Sequence, residues 1–358
     1  MLGVQLLAVM TNQRILMSLK IKIREYLSKL FYCTGVSSRR IGFHGRRGYL
    51  VIMYHRVLPD DYRNFVQSGM FVNKRAFKMH MQFLKENFKV LPLSEIISEQ
   101  AKIHQYNKPL CAITFDDGWI DFYKHAYPIL NELKIPATVF LPTNYIGTKL
   151  IFWEDKLCSI LYAFRKENVS IIFKENGEYQ LIDGAPYPID TYIEKAVASA
   201  KKYTRQKIEK IICEIDPKSE YFREEICFMS WDQIREMLNS ELISYGSHSE
   251  KHLILTLCNN QEIENEAISS MEALYREGVA DRKFIPFCYP NGSYDERVAR
   301  IIKAAGYSAA VTTRNGWYGY GNNKFEICRI GLHQDISRTV EMLSYRLGFA
   351  KSHGTNHY

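Results

Sequence analysis

Short apolar runs alternate with amphipathic stretches along most of this 358-residue chain. Each run is five or six residues long, a length typical of buried strands, and between the runs apolar residues recur at helical spacing. The repeated alternation predicts an α/β fold with a parallel sheet and helices outside it, either doubly wound or closed as a barrel. The predicted strands are 49–54, 111–115, 137–141, 242–246, 284–289 and 309–313, and the predicted helices are 74–87, 120–133, 231–239, 260–277 and 294–305.

Residues 150–228 depart from this alternation. They are charged and rich in tyrosine, and they predict a helix around 154–166, a hairpin over 169–182 and a long polar helix near 191–213. An Asn-Gly pair in the middle of the hairpin supports that prediction, because this pair favours the tight turns that join two strands. We interpret the segment as an α+β insertion that rises from a barrel loop and helps to shape a substrate groove. A separate small domain is the alternative.

The excess positive charge of the chain lies in its first 47 residues. This leader holds nine Lys or Arg residues and one acid, Glu25, and its excess of eight equals that of the whole chain. The rest of the chain is neutral overall, which argues against a nucleic-acid-binding body. The leader itself is suited to contact an anionic membrane surface or another polyanion.

The leader also predicts an amphipathic helix. From Ile15 to Phe31, apolar residues recur at mostly helical spacing with Lys and Arg between them. This pattern suits a helix at a membrane interface as well as one packed on the domain. The apolar start, MLGVQLLAVM, is too short to span a bilayer and lacks a small-residue cleavage site. No later stretch reaches about 18 consecutive apolar residues, so we do not expect an integral membrane protein.

Eight cysteines are scattered along the chain without a C-x-x-C pair. Several of them, such as Cys111 and Cys288, lie inside apolar runs. In a chain of this length, that placement predicts reduced core thiols rather than a disulfide framework. We therefore expect a cytoplasmic protein. Contact of its basic leader with the inner face of a membrane is one of the interpretations of that segment, and packing on the domain is the alternative.

Four segments that carry reactive side chains follow predicted strands. Loops at the carboxyl ends of parallel strands converge on one face of a barrel or of a doubly wound sheet. Residues that are far apart in the sequence are therefore expected to meet at one site. The segments are VIMYHRV with His55, AITFDDG with Asp116 and Asp117, ISYGSHSEKH with His248 and His252, and FCYPNGSY with Pro290 to Gly292.

The two histidines of the third segment, taken together with the aspartates, predict a metal site; surface histidines are the alternative for the pair alone. His248 and His252 are four residues apart, the spacing that places two imidazoles on one side of a helical turn. One carboxylate, from Asp116 or Asp117, would complete a set of two histidines and one aspartate. Such a set leaves coordination positions open for water and substrate, as a hydrolytic or an oxygenase metal requires.

Three of these motifs together resemble a known family. In this order, TFDDG, SHSEKH and YPNG resemble the motifs of the polysaccharide deacetylase family, which has the NodB homology domain and is also called carbohydrate esterase family four. The resemblance covers about residues 48–335. It implies a distorted (β/α) barrel, a divalent metal (commonly zinc) and removal of N-acetyl groups from amino sugars. We expect a leader over 1–47 and a deacetylase domain over 48–350, with its insertion at about 150–228.

The resemblance assigns a role to each matching residue. It implies that Asp117, His248 and His252 bind the metal and that Asp116 is the catalytic base. It also implies that the backbone N–H of Asn291 stabilises the developing oxyanion. These roles fit the chemistry of amide hydrolysis, because a metal activates water and polarises the carbonyl while a carboxylate takes the proton from that water.

Two features depart from the family's pattern. The third motif usually begins with an arginine that positions the base, but Cys288 stands there, and Arg329 is the nearest replacement along the sequence. The late motif that supplies a catalytic histidine is missing in its familiar form. Instead, VIMYHRV resembles an early Tyr-His segment of deacetylases that act on poly-N-acetylglucosamine and surface polysaccharides. It implies that His55 protonates the leaving amine, with His333 in reserve; a strand-end histidine bonded to backbone is the alternative for His55.

The leading hypothesis is a metal-dependent deacetylase that acts on an N-acetylated glycan or glycolipid precursor. One alternative is an amidohydrolase or deformylase of the same fold on a smaller substrate, against which the large insertion argues. Another is a glycan-binding protein that has lost catalysis. The matching aspartates and histidines argue against this second alternative, whereas the departure at Cys288 favours it.

Overall fold

The computed structural model describes residues 21–61, 66–67, 69–98, 106–174, 178–184, 188–216 and 227–353. The strands in these residues are β1 (Gly48–Tyr54), β2 (Arg56–Leu58), β3 (Phe71–Asn73), β4 (Lys89–Val90), β5 (Leu110–Phe115), β6 (Ala137–Leu141), β7 (Val169–Phe173), β8 (Tyr179–Asp183), β9 (Ile243–Ser247), β10 (Pro286–Cys288), β11 (Ala309–Asn315), β12 (Trp317–Gly319), β13 (Ile327–Gly331) and β14 (Ser352–His353).

Most of the helices lie between these strands. They are α1 (21–33), α2 (Val36–Gly45), α3 (Lys74–Asn87), α4 (Leu93–Ser98), α5 (Tyr127–Leu133, directly after a π-helical turn over Phe122–Ala126), α6 (Trp153–Lys166), α7 (Ile189–Ala200), α8 (Arg205–Ile215), α9 (Trp231–Leu238), α10 (Asn260–Arg276), α11 (Glu296–Ala304), α12 (Gln334–Ser337) and α13 (Val340–Gly348). Short 3₁₀ turns cover Leu255–Leu257 and Pro290–Gly292.

Seven parallel strands close into a distorted barrel, in the order β1–β13–β11–β10–β9–β6–β5 and back to β1. Closure depends on the pairing of β1 with β5, in register from Leu50 opposite Cys111 to Tyr54 opposite Phe115. Every residue of β5 and β6 is buried, because a parallel barrel strand is covered by side chains inside and helices outside. The predicted α/β barrel is confirmed.

All six predicted strands are present, but the prediction missed β13. This strand lies between β1 and β11 in the barrel and carries Arg329. Its apolar residues Ile327, Cys328 and Ile330 are fully buried, so the sequence did contain a strand signal. The signal was weakened because a charged residue occupies the centre of the strand.

The predicted helices have local start signals that the structure confirms. Helix α3 covers the predicted residues, and the Asn73 side chain caps it by accepting a hydrogen bond from the Ala76 N–H. Helix α9 begins with a reciprocal capping box between Ser230 and Gln233. Each cap satisfies backbone donors that have no partner inside the helix.

The segment between β6 and β9 holds the predicted helix as α6 and the predicted hairpin as β7 and β8, around an apolar cluster of its own. The predicted turn residues Asn176 and Gly177 lie outside the described residues. The prediction of one long helix near 191–213 is wrong, because α7 and α8 are separate helices. A continuous 23-residue helix would be about 35 Å long, which is longer than the 14-residue helix α6. The turn between α7 and α8 lets both helices pack on α6.

Part of the predicted leader packs on the barrel domain. The Phe31 ring of α1 stacks on Phe349, with 4.9 Å between ring centroids, and Arg40 Nε of α2 donates to the Gly348 carbonyl at 2.9 Å. Residues before 21 lie outside the described part, and the division into leader, domain and insertion stays a prediction. Within the described residues, no helix combines the length and apolarity needed to cross a membrane.

A buried histidine in the fold gives a pH-dependent prediction. His80 is fully buried; its Nε2–H donates to the Ser337 carbonyl at 2.6 Å, and its Nδ1 accepts from the Tyr54 hydroxyl at 2.9 Å. Burial lowers its pKa from 6.5 to about 4. The folded state therefore binds fewer protons than the unfolded state between these pH values, so stability falls as the pH drops through this window.

We expect His80 to account for a loss of about 3 kcal/mol in the free energy of unfolding between neutral pH and pH values below its folded pKa. Denaturant unfolding at a series of pH values measures this loss. The His80→Gln variant should show a smaller dependence on pH between about 6.5 and 4, whatever its absolute stability. An identical pH dependence in the two proteins would contradict the prediction.

Candidate metal centre

The carboxyl ends of the barrel strands bring the predicted site residues to one end of the barrel. His55 directly follows β1, Asp116 and Asp117 directly follow β5, and His248 directly follows β9. The topology therefore places these loops as predicted. The atoms that face each other then depend on the turn that each loop makes.

The turn after β5 separates the two adjacent aspartates. Asp117 and Gly118 both have left-handed backbone conformations, with φ of 73° and 67°. Glycine suits the second position because a Cβ there would lie 2.9 Å from side-chain carbons of Leu141 and Ile146. The turn directs the Asp117 side chain towards His248, whereas Asp116 stays at the end of β5 and bonds to Arg329. The two carboxylates therefore have different partners.

Asp117, His248 and His252 form a compact group of possible metal ligands. Asp117 Oδ1 lies 3.4 Å from His248 Nε2 and 3.5 Å from His252 Nε2. Ligand atoms on a tetrahedral zinc ion, each about 2.0–2.1 Å from the metal, stand about 3.4 Å from one another. The three side chains therefore fit a divalent ion held by one aspartate and two histidines.

Neighbouring groups orient these three side chains. His248 Nδ1–H donates to the Cys288 carbonyl at 2.8 Å, which leaves Nε2 facing Asp117. The Trp119 indole N–H donates to Asp117 Oδ2 at 3.0 Å, which leaves Oδ1 for the histidines. Such outer hydrogen bonds fix the ring orientation of metal-binding histidines and the geometry of metal-binding carboxylates.

The protonation of the two histidines differs. Burial and the neighbouring His248 lower the pKa of His252 to about 3, so its imidazole is neutral near pH 7. Burial also lowers the pKa of His248, but contacts with Cys288 and Asp117 outweigh burial and raise it above its ordinary value. A metal ion would therefore have to displace a proton at His248, which makes metal binding weaker in acid.

Asp116 is held by Arg329 rather than by the histidines. Both carboxylate oxygens accept hydrogen bonds from Arg329, at 2.7 Å each, and the guanidinium is completely buried. Burial raises the pKa of Asp116, but the charge of Arg329 outweighs burial and holds this pKa below its ordinary value. Asp116 is therefore an ionised, fixed carboxylate next to the candidate metal ligands.

Arg329 also contacts Cys288, the residue that departs from the family's pattern. Its guanidinium contacts the Cys288 Sγ atom at 3.2 Å and donates to the Thr312 carbonyl at 2.8 Å. The small thiol leaves room for an arginine that arrives from β13 instead of from β10. Asp116, His248 and Cys288 also lie close enough to share an ion, but both Asp116 oxygens are already bonded to Arg329, which favours the Asp117 group.

The two candidate acid residues have different surroundings. His55 Nε2 lies 3.9 Å from Asp116 Oδ2, and burial lowers its pKa while the nearby carboxylates act in the opposite direction. His333 follows β13, and its Nδ1 pairs with Asp335 at 3.1 Å. Both imidazoles line a cavity of about 180 Å³, and the described contacts place His55 beside Asp116.

Asn291 lies in the loop after β10, with a left-handed φ of 56°. Its side-chain carbonyl accepts a hydrogen bond from Lys201 Nζ at 2.7 Å, so the end of α7 in the insertion touches this loop. The structure thus places Asn291 at the same end of the barrel as the other site residues. The role of its backbone N–H stays a prediction.

Sequence reasoning gave no site role to Trp119 or Lys201, and it named Arg329 only by its position. A tryptophan two residues after the aspartate is a possible signal for Trp119, since its indole N–H is a donor within reach of that carboxylate. Lys201 had no comparable signal. Its contact with Asn291 bridges 90 residues and depends on how the insertion folds over the barrel.

Part of the chain is similar to known proteins of one family. A family profile described as Polysaccharide deacetylase matches residues 104–310. The poly-beta-1,6-N-acetyl-D-glucosamine N-deacetylase of Staphylococcus epidermidis is 36% identical over 109 residues, which cover 28% of this chain and 37% of that protein. The corresponding protein of Staphylococcus aureus is 32% identical over 108 residues, 27% of this chain and 37% of that protein. The match thus spans little more than a third of these relatives' length.

Solved structures show the same fold at low sequence identity. The Streptococcus pyogenes deacetylase PplD, in complex with acetate, superposes with a TM-score of 0.52 at 19% identity, covering 81% of this chain and 95% of that one. A polysaccharide deacetylase from Bacillus cereus gives a TM-score of 0.53 at 21% identity, covering 84% of this chain and 69% of that one.

Proposed function

Because the chain belongs to the polysaccharide deacetylase family, we propose that it is a metal-dependent hydrolase that removes N-acetyl groups from amino sugars of a glycan or glycolipid precursor. The observation that carries this proposal is the convergence of Asp117, His248 and His252 beside a second carboxylate. Asp116 is ionised and held by Arg329. This arrangement separates metal binding from proton transfer, as metal-assisted amide hydrolysis requires.

Asp117, His248 and His252 would hold the divalent ion, which we propose to be zinc because one carboxylate and two imidazoles suit it. When bound, such an ion lowers the pKa of its water and polarises the amide carbonyl. The protein's part is to keep the Nε2 atoms of both histidines 3.4–3.5 Å from Asp117 Oδ1. Trp119 and the Cys288 carbonyl maintain that spacing.

Asp116 is the proposed base that takes the proton from the attacking water. Its two hydrogen bonds with Arg329 fix the carboxylate plane and keep it ionised. The backbone N–H of Asn291 is the proposed donor to the oxyanion. The contact with Lys201 supports this role, because it fixes the loop that carries Asn291.

His55 is the proposed acid that protonates the leaving amine. Its distance of 3.9 Å from Asp116 Oδ2 places it beside the base. We expect His55→Ala to lower kcat about 10²- to 10⁴-fold, the usual contribution of general acid catalysis, and to leave the metal content unchanged. The measurement is the initial rate of acetate release at saturating substrate.

The matched control for His55 is His333→Ala, which changes a histidine of the same cavity. We expect this control to retain most of the wild-type kcat, because His333 pairs with Asp335. A wild-type rate in His55→Ala together with a strong loss in His333→Ala would transfer the acid role to His333.

A cavity beside the site supports a substrate larger than one small amide. It has a volume of about 300 Å³ and lies between the insertion and the loop after β9, with Trp153, Tyr203, Arg205, Lys251, His252 and Leu257 among its lining residues. Since His252 is also a candidate metal ligand, the cavity adjoins the proposed reaction centre. Its aromatic and charged lining residues suit sugar rings next to the one that is deacetylated.

The S. epidermidis relative is named for poly-beta-1,6-N-acetyl-D-glucosamine, and we propose an N-acetylated glycan of this kind as the substrate class. The test is acetate release from a panel of N-acetylated glycans, with formamides and small N-acetyl compounds in parallel. Release from glycans that stops with a chelator and returns with zinc supports the proposal. Turnover confined to formamides or small amides, or glycan binding without any release, would overturn it.

The proposed compartment is the cytoplasm. This proposal rests on cysteine usage alone.

A further inference from the structure

The face of α1 that points away from the domain carries exposed apolar side chains between basic ones. Ile23, Tyr26 and Leu30 are 49%, 68% and 43% exposed, and their spacing of three and four residues places them in one stripe. Lys22 and Lys29 flank this stripe and are exposed as well. We call these five residues the outer stripe.

The opposite face of α1 holds the helix on the domain. Ser28 is buried, Phe31 stacks on Phe349, and Glu25 pairs with Arg338. Five positions separate Ile23 from Ser28, which is about 140° around the helix. The outer stripe therefore lies on the side of α1 away from these contacts, and its apolar side chains are partly open to solvent.

Helix α2 adds a similar combination of groups. Phe43 is 42% exposed, and the Arg47 guanidinium lies 4.0 Å from the centre of its ring. Six of the eleven large apolar side chains that are exposed in the described part of the chain lie between residues 21 and 43. Residues 21–47 also hold seven Lys or Arg residues against the single acid Glu25.

We propose that the outer stripe docks on an anionic phospholipid surface. Such a surface accepts apolar side chains at its acyl boundary and attracts the lysines through its negative charge. A duplex of nucleic acid would use the charges but leave the apolar stripe in water. A second copy of the chain would bring two strongly basic surfaces together. The proposal is independent of the deacetylase reaction.

The test uses the full-length chain sedimented with vesicles of phosphatidylcholine or of equimolar phosphatidylcholine and phosphatidylglycerol. We expect binding to the anionic vesicles that weakens as salt is added. Two double variants test the stripe: one carries Ile23→Glu and Leu30→Glu, and the other carries Lys22→Gln and Lys29→Gln. Each should lower the partition coefficient about tenfold or more. Leu181→Glu, which changes a leucine that is 51% exposed on β8, should leave binding unchanged.

Thermal unfolding and acetate release from a soluble glycan check that each variant is folded. If the glutamate variant is unfolded, the lysine variant decides the test. Equal binding to both kinds of vesicle, or an unchanged partition coefficient in the folded variants, would overturn the proposal. So would binding to duplex DNA without binding to vesicles, or a dimer in size-exclusion chromatography that the outer-stripe variants dissociate.

Discussion

Replacement of His248 by alanine should remove the bound metal ion and abolish acetate release. His248 Nε2 is one of three ligand atoms around the proposed ion, and the ring is fixed by its hydrogen bond to the Cys288 carbonyl. Loss of an outer partner alone weakens metal binding about 10- to 100-fold, so the loss of a ligand should exceed this range. The measurement is metal content by mass spectrometry after dialysis, with the rate of acetate release on the same samples.

A histidine outside the site provides the control for this variant. His80 is equally buried but bonds to Tyr54 and Ser337, so His80→Gln should keep about one ion per chain and release acetate. Added zinc at high concentration should partly restore His248→Ala if the other two ligands remain in place. Full occupancy in dialysed His248→Ala would show that His248 is not a ligand.

Replacement of Asp116 by asparagine should preserve metal binding and remove turnover. Asparagine has the same shape but cannot accept a proton from water, and general bases contribute about 10²- to 10⁴-fold to rates. We therefore expect kcat to fall by at least about 10²-fold, while the metal content stays at the wild-type level because Asp117, His248 and His252 are unchanged. A wild-type kcat would exclude Asp116 as the base.

The same substitution should also lower stability. Arg329 is fully buried and bonded to both Asp116 oxygens, so Asp116→Asn leaves a buried cation without its counter-charge. Breaking such a pair costs about 3–5 kcal/mol, and denaturant unfolding measures it. Asp121→Asn is the matched control, since Asp121 is a buried aspartate bonded to Arg56 at 2.7 Å. This control should lose stability while keeping more of its turnover than Asp116→Asn.

The residues that meet at the site were predictable because each follows a strong local signal. His55, Asp116 and Asp117 directly follow apolar runs that form β1 and β5, and His248 follows β9. Parallel strand ends converge in either of the folds that the alternation allowed. The choice of Asp117 over Asp116 as the ligand came from the family motif. In the structure, a left-handed turn at Asp117 and Gly118 directs the Asp117 carboxylate towards the histidines.

The sequence by itself determined six of the seven barrel strands, most of the helices between them and the set of reactive side chains, because apolar spacing and capping residues act over only a few positions. The tertiary structure alone decided that β1 pairs with β5 and closes the barrel, and that the insertion folds back as α7 and α8. It also decided that Arg329 reaches Asp116 across 213 residues. Such contacts depend on which surfaces remain to be buried once the elements have formed, and local sequence patterns do not carry that information.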